Sequence, residues 1–126
     1  MKRLAKNGFT LVELLVVMAI IATLLTIVVP RYFHSVENSE EAVLRQNLSL
    51  TREALDKFYG DNGRYPDRLE ELVEKKYLRS LPADPIAGNS DSWQIIAPDE
   101  AEKGGVYDIK SSAPGSSRSG AEYKDW

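Results

Sequence analysis

The chain has 126 residues, no cysteine and a formal charge of −3. This length predicts one domain, and the absence of cysteine excludes a disulfide framework, thiolate chemistry and cysteine zinc sites. Lys2, Arg3 and Lys6 all precede Gly8, so the rest of the chain is more acidic than the whole. An acidic body does not attract phosphate, which argues against nucleic acid as a partner.

An uncharged apolar run follows these cations. From Phe9 to Val29 the segment has the roughly 20 residues that a bilayer-spanning helix needs. Positive charge ahead of a first apolar segment holds that end in the cytoplasm. The sequence therefore predicts a single-pass membrane protein whose N-terminus is cytoplasmic and whose residues after Pro30 lie on the other side.

The order of signals at this end differs from that of an ordinary secretory signal. There the small-residue cleavage site follows the apolar core, whereas here the small residue, Gly8, precedes it. On hydropathy alone, a plain uncleaved anchor is the alternative.

Glu13 is an acid at the head of this apolar run. A charge at the centre of a bilayer costs about 2.5 to 3.5 kcal/mol on insertion scales, and less towards an end. Such a residue usually has a partner. The alternative is an acid in the first helical turn, satisfied by water and by the positive end of the helix dipole.

The segment from Lys6 to Ala22, KNGFTLVELLVVMAIIA, resembles the class III signal of type IV pilins and type II secretion pseudopilins. The resemblance implies that a prepilin peptidase cuts between Gly8 and Phe9 and that Phe9 is then N-methylated. It also implies that Glu13 pairs with the Phe9 amine of an adjacent subunit. Three regions follow: a leader peptide (1–8), a transmembrane helix and assembly segment (9–30), and a periplasmic head that includes the second half of the long helix (31–126).

Pro30 predicts a kink, because proline removes a backbone hydrogen bond inside a helix. Beyond it, apolar residues recur at spacings of three, four and seven, as in an amphipathic helix. We expect one long, kinked helix from about Thr10 to Tyr59. His34, the single histidine, is expected at the membrane interface and not as a ligand or base. The expected inward stripe is Ala42, Leu44, Leu48, Leu55, Phe58 and Tyr59.

A turn cluster at residues 60–63 is expected to end this helix. Asp67 with Glu70 three residues later has the pattern of a helix N-cap with a capping box. The pattern predicts a second helix over residues 67–78, with Leu69, Leu72, Val73 and Tyr77 facing inward.

Two short runs rich in branched and aromatic residues, 93–97 and 106–110, predict an antiparallel pair of strands. Tyr107 and Ile109 are expected on the covered face, and the last residues, 121–126, should fold back onto the head. The fold class is therefore α+β, type IV pilin-like. The segment from Tyr65-Pro66 to residues 81–85 is also similar to the major, G-type branch of the pseudopilins.

In that branch the last loop binds calcium through acidic side chains and main-chain oxygens. Here residues 113–115 are Ala-Pro-Gly where the family has an acidic turn, and Asp108 and Glu122 have no acid between them. Calcium takes six to eight oxygens, several of them usually charged. Glu122 and Asp125 are the weak calcium candidates that remain, and we expect a metal-free loop and no other cofactor.

The resemblance implies a structural subunit of a type II secretion pseudopilus-like helical filament that drives or scaffolds protein export. The implied partners are copies of itself and other pilin-like subunits, prepilin peptidase, an assembly ATPase, an inner-membrane platform protein and membrane lipid. The implied location is the bacterial inner membrane, with the assembled filament in the periplasm or at the cell surface.

Two alternatives stay open. One is a major or minor subunit of a type IV pilus that serves adhesion, motility or DNA uptake. The other is a membrane-tethered binding module that does not polymerise. An enzyme is not expected, because the chain has one histidine, no cysteine and no phosphate-binding glycine loop.

Overall fold

The computed structural model describes residues 8–126. Two α-helices, α1 (Leu11–Asn62) and α2 (Glu71–Glu74), are followed by strands β1 (Gln94–Ile96) and β2 (Asp108–Lys110). Short 3-10 helices occupy Ala101–Lys103 and Tyr123–Asp125. The predicted α+β fold is confirmed.

The chain divides after Glu37 into two compact units, and α1 contributes to both. In the N-terminal unit, every residue from Gly8 to Glu37 is exposed. The long helix has the predicted extent, although it ends three residues beyond Tyr59. It continues through Pro30, and the kink at this proline stays a prediction, as does the membrane boundary there.

The C-terminal unit, Asn38–Trp126, has a single hydrophobic core. Ala42 is exposed, so its predicted inward position is wrong: it is rotated by about 200° from Leu44 on the helix. Thr51 is buried instead, and its hydroxyl donates to the Asn47 carbonyl oxygen at 2.8 Å, which satisfies it. The face of α1 that enters the core is Leu44, Leu48, Thr51, Ala54, Leu55 and Phe58.

Helix α2 has only four residues, so the predicted helix over 67–78 is too long. The expected capping box does not form. The Asp67 backbone N–H instead donates to Oε2 of Glu71 at 2.8 Å, four residues on. Of the side chains expected to face inward, Leu69 and Leu72 are buried in the core, as predicted.

The two strands pair antiparallel, with Gln94 opposite Lys110 and Ile96 opposite Asp108. Both are shorter than predicted. Ile109 is buried as expected, but Tyr107 is 51% exposed and Val106 is buried in its place. The alternation fails there because β2 starts only at Asp108.

The segment ahead of β2 is held by the link between α1 and α2. The N–H groups of Gly105 and Val106 both donate to the Pro66 carbonyl oxygen, at 3.0 and 2.9 Å. Gly104 has a φ of 117° and packs so closely that a Cβ would collide with the Tyr65 carbonyl. This contact fixes where the second strand begins.

Candidate assembly segment and C-terminal loop

Gly8, Phe9 and Thr10 lie ahead of α1 and form no regular structure. Among residues 10–126, no atom lies within 4 Å of the position that a Cβ on Gly8 would take, and Phe9 is 83% exposed. The part of the chain from residue 10 onward therefore does not cover the peptide bond between Gly8 and Phe9.

Thr10 and Glu13 form a reciprocal capping box at the start of α1. The Glu13 backbone N–H donates to Thr10 Oγ1 at 3.1 Å, and the Thr10 N–H lies 3.4 Å from Glu13 Oε2. Two backbone donors that the first turn leaves unpaired thus acquire side-chain acceptors. The T-x-x-E spacing in the sequence carries this signal, but the sequence reasoning above assigned Glu13 only to an assembly contact or to the helix dipole.

The first half of α1 is a continuous apolar surface. Its most apolar 18-residue window has a mean hydropathy of 2.8 and no buried residue, so the helix is long and apolar enough to cross a membrane. The two hydroxyls within it are satisfied by the helix itself. Thr23 Oγ1 donates to the Ala19 carbonyl at 2.8 Å, and Thr26 Oγ1 to the Thr23 carbonyl at 2.6 Å. Such bonds remove the cost of a free hydroxyl in lipid.

Pro30 is followed on the same helix by two exposed aromatic side chains, Tyr32 and Phe33. Their rings meet edge to face, with centroids 5.9 Å apart. Tyrosine and charged residues at the end of an apolar span are typical of the membrane–water interface, and Arg31 and His34 flank the pair. His34 does not belong to a metal site: among residues 8–126, no cluster of three or more His, Cys, Asp or Glu side chains is placed to bind a metal ion.

The calcium candidates Glu122 and Asp125 both lie in the last residues of the chain, around the short 3-10 helix Tyr123–Asp125. Glu122 forms an ion pair with Lys124, whose Nζ lies 3.0 Å from Oε2, and this carboxylate raises the pKa of Lys124. Asp125 interacts with Glu122 through its backbone N–H, which donates to the Glu122 carbonyl oxygen at 3.0 Å. Two carboxylates, one of them paired with a lysine, are fewer ligands than the six to eight oxygens that calcium takes.

The C-terminal residues are attached to α1 through Arg52. Its Nε donates to Asp108 Oδ1 at 2.8 Å, and its Nη2 donates to the backbone oxygens of Ile109 and Trp126 at 3.2 and 2.7 Å. The Arg45 guanidinium lies 4.5 Å from the Trp126 ring centroid. Arg52 was not singled out in the sequence. Its position three residues before Leu55, at the edge of the apolar stripe, was the available signal.

Asp84 is a second residue that the sequence reasoning did not single out. It is buried, and Oδ1 accepts from the N–H groups of Ile86 and Ala87, both at 3.0 Å. Its other oxygen accepts a hydrogen bond from the buried Ser111 hydroxyl, which itself accepts from the Ala113 N–H at 3.1 Å. A buried carboxylate therefore connects residues 84–87 to the start of the last loop. This is the loop in which the family resemblance implies a metal.

The N-terminal part of the chain matches the family model for the prokaryotic N-terminal methylation motif, over residues 3–29. This match covers most of the expected leader, the capping box and most of the apolar surface. It places the chain in the class of pilin-like proteins that carry this motif.

The resemblance to known proteins extends over the whole chain. The chain is 33% identical to type II secretion system core protein G of Escherichia coli K12, over 86% of this chain and 82% of that protein. It is 30% identical to the core protein G of Pseudomonas aeruginosa, over 100% of this chain and 99% of that one. No solved structure matches the chain significantly. The chain belongs to the type II secretion system core protein G family.

Proposed function

We propose that this chain is a structural subunit of a type II secretion pseudopilus-like helical filament that drives or scaffolds protein export. The observation that carries the proposal is the unpacked apolar first half of α1, which begins two residues after Phe9 and lies largely in the methylation motif. Relatives along the entire chain are named type II secretion system core protein G. A helix of this kind is stable only in lipid or against other helices.

We propose that prepilin peptidase cuts between Gly8 and Phe9 and that the new amine of Phe9 is methylated. The cut removes the cations Lys2, Arg3 and Lys6 while it leaves the anchor intact. The open backbone around Gly8 supports access by the peptidase. Mass spectrometry of the protein from its own membrane should then show a chain that starts at methylated Phe9. A chain that retains Met1 would contradict the processing.

We propose further that Glu13 pairs with the Phe9 amine of an adjacent subunit. Two charges that are costly in lipid become tolerable when they meet, which favours assembly over dispersal. Because Glu13 Oε2 serves only the weak 3.4 Å contact to the Thr10 N–H, the carboxylate retains free acceptor capacity for an ammonium.

Two substitutions at Glu13 separate its capping and pairing roles. Glu13→Ala removes both the charge and the capping oxygen, whereas Glu13→Gln keeps an acceptor that suits a capping box. We expect both variants to be processed and both to be lost from sheared filament fractions. Normal filaments from Glu13→Gln would show that the carboxylate acts only as a cap. Normal filaments from both would favour a module that does not depend on this contact.

The cations ahead of Gly8 support a cytoplasmic N-terminus, and the head would then lie in the periplasm. A filament subunit extracted from the inner membrane requires an assembly ATPase and a platform protein, besides other pilin-like subunits. The chain itself performs no catalysis in this scheme, and chemistry is done to it at Gly8 and Phe9.

We propose finally that the last loop is held without calcium. The Lys124 ammonium at Glu122 and the hydrogen bonds of Asp84 and Arg52 support this. These contacts take the place of a metal as the attachment of the loop to the head.

A further inference from the structure

Three tyrosines and one proline line a cleft of about 260 Å³ in the C-terminal unit, which we call the tyrosine cleft. Tyr59 belongs to the last turns of α1, and Tyr65 to the link between α1 and α2. Pro98 and Tyr107 come from the connection between β1 and β2. The cleft thus brings aromatic surface from separate parts of the chain to one place, and Tyr107 is 51% exposed there.

The three rings form a corner and not a flat platform. Tyr59 and Tyr65 stack with centroids 4.6 Å apart and planes inclined at 29°, so one face of each ring is covered. The Tyr107 ring stands at 89° to that of Tyr65, with centroids 5.2 Å apart. A nucleic-acid base needs an open aromatic face on which to stack. Proline-rich segments in the extended polyproline II conformation dock instead into aromatic-lined grooves.

The walls of the cleft are held together by backbone contacts. The Tyr65 N–H donates to the Lys103 carbonyl oxygen, and the Lys103 N–H donates to the Glu100 carbonyl oxygen at 3.0 Å. Gly104 packs directly on the Tyr65 carbonyl. A cleft that is already formed loses little conformational entropy when a partner binds to it.

The cleft has an excess of negative charge. Asp99 and Glu100 line it together with one cation, Lys103, whose Nζ lies 3.6 Å from Glu100 Oε2. Asp99 is exposed and forms no ion pair within 4.0 Å with another residue between 8 and 126. Burial raises the pKa of Tyr65, and the Asp56 carboxylate raises it further, so a further acid acts on the rings. This surface favours a cationic partner.

We propose that the tyrosine cleft binds an extended, proline-containing segment of a partner protein that carries an arginine or a lysine. Proline rings enter the corner between Tyr65 and Tyr107, and the cationic side chain pairs with Asp99. A segment in the polyproline II conformation has no internal hydrogen bonds and is already extended, so it loses little entropy on binding.

The size of the cleft favours such a segment over a small molecule. Small-molecule sites measure about 300 to 1,000 Å³, and the tyrosine cleft, at about 260 Å³, suits a few side chains of a larger partner. All of its lining residues belong to the C-terminal unit. The interaction therefore goes beyond the proposed function and does not depend on filament formation.

Isothermal titration calorimetry of the full-length protein in detergent tests this binding. The probe is a synthetic peptide with three repeats of Pro-Pro-Arg, and the comparison peptides have repeats of Pro-Pro-Glu or of Gly-Ser-Arg. We expect saturable binding of the first peptide, with a dissociation constant several-fold lower than that of either comparison peptide. Equal affinity for either comparison peptide would overturn the proposal, and so would the absence of binding.

Substitutions test whether the peptide binds in the cleft. Tyr107→Ala removes an exposed ring and should weaken binding of the Pro-Pro-Arg peptide about ten-fold. Asp99→Asn, at an exposed position that leaves the fold intact, should weaken it several-fold and make the remaining binding less sensitive to salt. Asp91→Asn is the matched control, since Asp91 is also exposed but lies outside the cleft.

Two results of these substitutions would contradict the proposal. Unchanged binding to both Tyr107→Ala and Asp99→Asn would mean that the peptide binds elsewhere. Binding of a neutral oligosaccharide that Tyr107→Ala abolishes, without any binding of the Pro-Pro-Arg peptide, would assign the cleft to a sugar.

Discussion

Glu71 joins two neighbouring parts of the head through its two oxygens. Oε1 accepts from Arg64 Nη2 at 2.8 Å, and Oε2 accepts from the Asp67 N–H at 2.8 Å. The side chain is only 13% exposed. The hydrogen bond from Arg64 is the main reason why the pKa of Glu71 is lowered, and it raises the pKa of Arg64 in turn. The ionised form of Glu71 is thus the one that the fold stabilises.

This shift predicts an acid-sensitive contribution to stability. A carboxyl whose pKa is lower in the folded state contributes fully above its unfolded pKa, about 4.3, and loses that contribution as the pH falls through the folded value. We expect Glu71→Gln to lower the melting temperature at pH 7 and to change it little at pH 3. Melting curves across this range check it, with Glu74→Gln as the control, because Glu74 is exposed and its contact with Arg68 is 3.5 Å long. An equal loss at both pH values would exclude the ion pair as the cause.

At the scale of elements, α1 was predictable because its signals agree over a long distance. The uncharged run has the length of a membrane-spanning helix, and the later apolar stripe has helical periodicity. The T-x-x-E cap, which was not used for the prediction, agrees with both. The end of the helix was less predictable. Residues 60–62 have turn propensity, but α1 includes them and stops at Gly63, which has a φ of 69°.

Helix α2 and strand β2 were harder to predict because contacts with residues outside each element decide where they begin. Glu71 was expected inside a helix that starts at Asp67, but Arg64 and the Asp67 N–H both bind its carboxylate. Val106 was expected to alternate as part of a strand, but its N–H donates to the Pro66 carbonyl, forty residues away. Propensity and spacing contain no information about such partners.

Residues 104–105 pack against the link after α1. Adding a single methyl group there should therefore lower the free energy of unfolding substantially. Gly104→Ala adds a Cβ that meets the Tyr65 backbone, in a conformation that is essentially restricted to glycine. Gly115→Ala is the matched control, since its φ of 94° is also positive but no atom lies within 4 Å of the added Cβ. We expect Gly115→Ala to cost about 1 to 2 kcal/mol and Gly104→Ala to cost more, as measured by urea unfolding. Equal losses would show that the loop can move away from Tyr65.

For the molecule as a whole, the two units differ in whether their apolar side chains are buried within the unit. The C-terminal unit buries its own core around Leu44, Phe58 and Ile109. The N-terminal unit leaves every apolar side chain from Phe9 to Val36 exposed. Only the C-terminal unit has the internal contacts that stabilise a fold in water, so the state of the N-terminal unit depends on lipid or on other subunits.

The last residues of the chain attach to the rest of the C-terminal unit through side chains of α1. Three groups on α1 bind this segment: Arg52 through the Trp126 backbone oxygen, Arg45 through the Trp126 ring, and Glu41 through the Tyr123 hydroxyl. Hydrogen bonds to charged groups contribute about 1.5 to 3 kcal/mol each when they are protected from water, and less at half-exposed sites such as Arg52. These three contacts attach the last residues directly to α1.

Calcium titration and one substitution test this attachment on the full-length protein in detergent. A site with a dissociation constant one hundredth of the added calcium concentration would stabilise the folded state by about 2.7 kcal/mol, a shift of several degrees in melting temperature. We expect no such shift between millimolar calcium and chelator. Arg52→Lys, in contrast, should lower the melting temperature, because an ammonium cannot reach Asp108, Ile109 and Trp126 at once. Arg68→Lys is its control, since Arg68 forms only an exposed 3.5 Å contact. A rise with calcium, together with an unchanged Arg52→Lys, would mean that a metal holds this loop after all.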